Sequence, residues 1–214
     1  MISEFFQWLH HTSGLLIEWD RILFHKVNQE WTSPFFDKLM TYVTSPEETR
    51  WLLLFLILLL IYKLRRRAVV VILGCALSLL VADVTAARVI KPIVGRQRPE
   101  FSRALPKLLV PSQSSWSFPS NHAANTFAVA TFLGLTIAGV GPFALFLAGL
   151  VSYSRVYVGV HYPIDVIGGG ILGFMSGLLV YYFFSAVQSF LFPKGLEQLP
   201  KKWKKKDYSV RTKV

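Results

Sequence analysis

The sequence predicts an all-α protein, a polytopic transmembrane helix bundle of five to six spans with interfacial amphipathic helices at its N-terminus. Three observations carry that expectation. Of the 214 residues 53% are hydrophobic and only 16% charged, against roughly 25% charged in a soluble domain. The apolar residues fall in long runs divided by short polar connections, the pattern of repeated membrane crossings. The net charge of +11 is also uneven: residues 1–50 hold seven acidic and four basic side chains, while the stretch after Phe192 holds eight basic and two acidic ones.

Each element follows in order. Residues 1–49 are apolar but interrupted by charge, as in LLIEWDRILFHKVNQEW and SPFFDKLMTYV, which suits short amphipathic helices in the membrane interface; a sixth span hidden here is the open alternative. The opening MISEFFQWLHHTSG lacks the basic start and clean apolar core of a cleaved signal peptide. Residues 50–192 form the transmembrane domain. Its spans are WLLLFLILLLIY with flanking residues, then about 68–90, 122–140, 143–158 and 163–191. Residues 193–214 form a basic cytoplasmic tail, a topology signal attracted to anionic lipids rather than to nucleic acid. Cys75, the only cysteine, excludes an intrachain disulfide and thiolate metal sites. Gly169, Gly173 and Gly177, four apart, mark a face where another helix approaches closely.

Arg65–Arg67 and the basic tail fall on one side of the membrane, which the positive-inside tendency makes cytoplasmic. Segments 91–121 and 154–165 then share the opposite face. Lys91, Arg96, Arg98, Arg103 and Lys107 lie on that face against the same tendency, so they need another purpose.

Three polar clusters meet there: KPIVGRQRP (91–99), FPSNH (118–122) and SRVYVGVHYPID (154–165). Lys91, Arg98 and Arg155 supply cations suited to phosphate oxygens. Ser120 is placed to cap the helix that follows, whose free N–H groups, near Asn121, favour an anion. Asp165 lies one turn beyond His161 and can hold one ring nitrogen, leaving the other as a nucleophile. His122, at the helix start, is placed to protonate a leaving oxygen. Together these groups compose a covalent phosphoryl-transfer site. Asp83 and Arg88 lie inside the second span; Asp83 is a candidate to pair inside the bundle, for instance with a basic group of the site, and Arg88 to snorkel.

Lys91 with Arg98-Pro99, Pro119-Ser120-Asn121-His122, and Ser154-Arg155 with His161 and Asp165 resemble, in order and spacing, the signature of the type 2 phosphatidic acid phosphatase superfamily. The resemblance covers residues 50–190 and departs at Asn121, where the family has glycine; asparagine tolerates the positive φ that glycine allows. It implies His161 as nucleophile, His122 as general acid, Asp165 orienting His161, and Lys91, Arg98, Ser120, Asn121 and Arg155 around the phosphate. It implies no cofactor and no metal, and a phosphorylated membrane lipid as substrate. It also implies the bacterial cytoplasmic (inner) membrane with an extracytoplasmic site, as in the branch acting on undecaprenyl diphosphate, phosphatidylglycerol phosphate or lipid A. Undecaprenyl diphosphate is the leading expectation. A lipid phosphotransferase using the same residues, and a non-enzymatic transporter or scaffold for anionic lipids, are the alternatives.

Overall fold

A computed structural model describes residues 2–102 and 106–191, all-helical apart from connections, with no strand among the described residues. Arg103 and the basic tail lie outside the described residues. The chain divides into two compact units, Met1–Tyr181 and Tyr182–Val214. The site lies within the first; the second, where described, comprises the closing turns of the last helix.

The N-terminal region differs from the several short helices expected. Helix α1, Ile2–His25, runs on through a π-helical turn, Lys26–Glu30, before α2, Pro34–Thr44. The polar residues that break the sequence pattern are not all on the surface: Asp20 and Asn28 are buried, and Asp20 interrupts the apolar run without interrupting α1. Ser33 caps α2, accepting from the Phe36 N–H at 3.3 Å, with Pro34 at the first helical position.

Helix α3, Pro46–Leu64, has the same start, with Ser45 accepting from Glu48 N–H at 3.4 Å. Glu47 and Glu48 in its first turn and Lys63 in its last complement the helix dipole. No residue of α3 is buried; Trp51 is 68% and Phe55 59% exposed. A helix of this composition, apolar all round and without a buried face, needs a nonaqueous surrounding.

Helix α4, Arg67–Val84, continues through a π turn, Thr85–Ile90, into the short α5, Lys91–Val94. Then come α6, Asn121–Thr136; α7, Gly141–Tyr157; and α8, Pro163–Leu191. Single helices therefore occupy each predicted span position. Two stretches, Arg67–Phe101 and Pro163–Phe190, reach full crossing length and contain an 18-residue segment of mean hydropathy 2.4 and 1.7 respectively. Helices α6 and α7, at 16 and 17 residues, fall short of the roughly 20 a perpendicular crossing takes.

Helix α6 is central, packed against α4 and α7 around Ala82, Ala124 and Ala128. Its contact with α8 is the glycine stripe. A Cβ on Gly169, Gly173 or Gly177 would overlap the carbonyl oxygen of Ser120, Ala124 or Ala128 respectively, so the backbones touch where the sequence placed small residues. Gly173→Ala should cost about 1–3 kcal/mol through overpacking. Gly149→Ala, with open space around it, should be neutral; equal thermal midpoints for the two in detergent would contradict the packing.

Beside this layer, Phe24 of α1, Val27, Met40 of α2, and Val156–Val158, Val160 and Tyr162 form a second buried cluster. It carries the loop between α7 and α8 on which His161 sits.

Candidate active site

Two glycines shape the site. Gly95, at φ +58°, ends α5 and turns the chain so that Lys91 and Arg98 both reach residues 115–116. Gly159, at φ +89°, turns the chain after α7; a Cβ there would stand 2.8 Å from the Lys107 carbonyl oxygen. Asn28 completes that corner. Its amide donates to the carbonyls of Lys107 (2.9 Å) and Tyr157 (2.7 Å), and its oxygen accepts from Lys107 N–H at 2.8 Å.

Lys91 is buried and donates to the Trp116 carbonyl at 2.5 Å. Arg98, 2% exposed, donates to Ser115 O (2.7 Å), Ser115 Oγ (2.9 Å) and Val160 O (2.9 Å). Its Nη1 stands 3.2 Å from Nε2 of His161. An arginine only donates, so His161 Nε2 must hold its lone pair and the ring proton sits on Nδ1. That nitrogen faces Ser117 Oγ at 3.4 Å and Asp165 Oδ2 at 3.6 Å. Burial pushes the His161 imidazole down to about 3, against the opposing pull of Asp165 and with Arg98 adding to the effect. The ring is therefore neutral at pH 7, with its Nε2 lone pair directed at Arg98.

Asp165 is fully buried and well supplied with donors. Oδ2 accepts from Ser117 Oγ at 2.5 Å and Tyr162 N–H at 2.8 Å, and Oδ1 from Arg96 at 2.6 Å. Its carbonyl accepts from Ser120 N–H at 2.9 Å, which joins the start of α8 to the start of α6.

Ser120 stands at the N-cap of α6, but the side-chain cap expected of it is not made. Its buried Oγ has no hydrogen-bond partner among the described residues. Arg155 is similar: Nη1 donates to Thr44 Oγ1 at 2.6 Å, while Nε and Nη2 are buried with no such partner. Buried donors left without a protein acceptor are costly, and here they leave polar groups free for an anion. His122, in the first turn of α6, makes no described side-chain hydrogen bond to these groups but lies in the fields of Arg155, Arg98, Lys91 and Asp83.

Asn121 is helical rather than at positive φ, so its tolerance of that conformation is not what fits it here. Its amide donates to Asp83 Oδ1 at 2.8 Å, joined by Asn125 at 3.0 Å. Asp83 thus pairs inside the bundle, with two amides rather than with a basic group of the site, and it ties α4 to the α6 N-terminus.

Of the five basic residues expected on the outer face, the four among the described residues are engaged with specific partners. Lys91 and Arg98 bind residues 115–116, Arg96 binds Asp165 and Asp20, and Lys107 binds Asp37 at 2.7 Å. The sequence reading missed Ser115, Trp116 and Ser117, whose signal is the run of small polar residues just before FPSNH. It also missed Asp20, Asn28 and Thr44, for which one chain offers no signal.

The PAP2 superfamily model matches residues 67–189, more than half of the chain. The chain belongs to the PAP2 superfamily. Among its relatives, the lipid A 4'-phosphatase of Bacteroides thetaiotaomicron is 35% identical over 118 residues, 52% of this chain and 52% of that protein. The undecaprenyl-diphosphatase of Sulfolobus acidocaldarius is 40% identical over 103 residues, 45% of this chain and 47% of that one. The chain thus spans about half the length of these curated relatives. The crystal structure of a transmembrane PAP2-type phosphatidylglycerolphosphate phosphatase from Bacillus subtilis superposes with a TM-score of 0.60 at 28% identity, covering 82% of this chain and 89% of that one. In this PAP2 protein the three motifs occupy one end of the α6–α8 packing. Asp20, Asn28 and Thr44 enter the site from outside the matched segment.

Proposed function

We propose that this PAP2 protein is an integral membrane lipid phosphatase that hydrolyses a phosphate or diphosphate monoester through a phosphohistidine on His161. The observation that carries the proposal is the set of unsatisfied buried donors, Ser120 Oγ and Arg155 Nε and Nη2, beside a neutral histidine whose Nε2 lone pair stands 3.2 Å from Arg98. His161 Nε2 forms a bond to phosphorus as the bond to the leaving oxygen breaks, and His122 gives that oxygen its proton. Water, losing its proton to His122, then displaces His161 and releases phosphate. Lys91, Arg98, Ser120, Arg155 and the amides at Asn121 hold the charged oxygens, and Asp165 takes up the developing imidazolium charge.

The active site faces the extracytoplasmic side, and α3, α4, α6, α7 and α8 cross the membrane, with α1 a sixth candidate span. Undecaprenyl diphosphate is the leading substrate, in line with the Sulfolobus relative. Lipid A phosphate is the second reading, supported by the Bacteroides relative.

The test is phosphate release by the full chain in detergent, with undecaprenyl diphosphate, phosphatidylglycerol phosphate, phosphatidic acid and lipid A compared with and without EDTA. Release unchanged by EDTA is expected, and the ranking of lipids assigns the substrate. Transfer of label to an added lipid alcohol instead of water would make the protein a phosphotransferase; no release or transfer from any of them would leave the anion-binding scaffold.

A further inference from the structure

Arg96 lies inside the first cluster but is none of the residues given a role there, yet it makes the ion pair that holds the outer oxygen of the orienting carboxylate. Its guanidinium donates to Asp165 Oδ1 at 2.6 Å and, with its other terminal nitrogen, to Asp20 Oδ2. Its guanidinium carbon stands over the Tyr162 ring, 4.4 Å from the centroid, and Tyr162 meets Phe24 of α1 edge-on at 5.1 Å. Asp20 is 3% exposed, and its second oxygen accepts from the Ile164 N–H at 2.8 Å, in the first turn of the helix that carries Asp165. One carboxylate of α1 therefore fixes both the arginine and the helix start that together aim Asp165 at His161.

We propose that Asp20 and Arg96 are positioning residues for phosphoryl transfer. They act through Asp165 to hold the His161 ring with Nε2 directed at the phosphate. The N-terminal helix α1, outside the segment matched by the family model, is then a working part of the site. The inference rests on His161 acting as the nucleophile of the proposed phosphatase. Arg96 reaches the two carboxylates with two different terminal nitrogens, a fixed planar fork that the single nitrogen of a lysine does not reproduce. Loss of Arg96 leaves the buried Asp20 without its ion pair and Asp165 without its Oδ1 partner, and loss of Asp20 leaves Arg96 held only by Asp165; either change loosens the side of Asp165 that Ser117 and Tyr162 do not hold.

Orthovanadate and orthophosphate separate positioning from simple anion binding. Vanadate mimics the five-coordinate transition state and takes Nε2 as a ligand, whereas phosphate binds without that bond. Affinities for both anions would be measured by calorimetry on the full chain in detergent, for the native protein, Asp20→Asn, Arg96→Lys and Asp20→Glu. Asp20→Asn and Arg96→Lys should each weaken vanadate about tenfold, as misaimed reacting groups do, and leave phosphate within twofold. Asp20→Glu should restore most of the vanadate affinity. Vanadate affinity unchanged in both variants overturns the proposal. So does a parallel loss of phosphate affinity, or failure of both variants to fold, since either would make the link a structural brace. A native protein that binds neither anion removes the site and the inference with it. One that binds both but releases no phosphate from the lipids defeats the phosphatase reading alone, and the variants still decide the positioning role.

Discussion

Replacing His161 with alanine is expected to stop phosphate release, with a loss on the order of 10⁴-fold or more, the scale of removing a nucleophile from a preorganised site. The fold should survive the change. Asp165 keeps Arg96, Ser117 Oγ and the Tyr162 N–H, so no carboxylate is stranded. Trapping with lipid labelled at the phosphate should give an acid-labile protein label in the native enzyme and none in the variant. Release within tenfold of native would remove His161 from the role. Because the ring is held near 3 by burial, the nucleophile stays unprotonated down to about pH 4. Any decline in rate between pH 7 and 5 then belongs to another group.

The second large effect is expected at Arg155. Its Nε and Nη2 are buried without a partner among the described residues, an arrangement that destabilises the protein and favours a bound anion. Arg155→Met should lower kcat/KM by roughly 10²–10³-fold, the effect of losing one preorganised donor to a developing charge. It should also hold or raise the thermal midpoint, because an apolar residue replaces a poorly compensated buried charge. The two measurements moving in opposite directions is the signature. If kcat/KM stays within threefold, Arg155 serves only to join α7 to Thr44.

The motif residues were legible because each cluster carries its chemistry within a short segment. Lys91 and Arg98 share one turn region, and His161 and Asp165 share one helix start. The helices from 67 to 191 were legible for a related reason, since their apolar runs have few interruptions. What holds those residues in place was not legible. Arg96 reaches Asp20 across 76 positions, and Arg155 reaches Thr44 across 111; a single chain has no periodicity linking such pairs. Asp20 was also obscured by its own charge, which makes a buried anchor look like a break in an apolar run. Ser120 gave the opposite difficulty: a capping residue in the expected place does not cap, because its hydroxyl is left for something else.

Helix α3 carries a different consequence. With no buried residue, it has no inward side to encode, so shuffling its apolar residues among themselves leaves every described contact of the site intact. What its sequence can specify is how far it reaches, about 28 Å over 19 residues. Under the proposed membrane reading it serves as a measure of thickness, in a chain where the other helices are committed to shape.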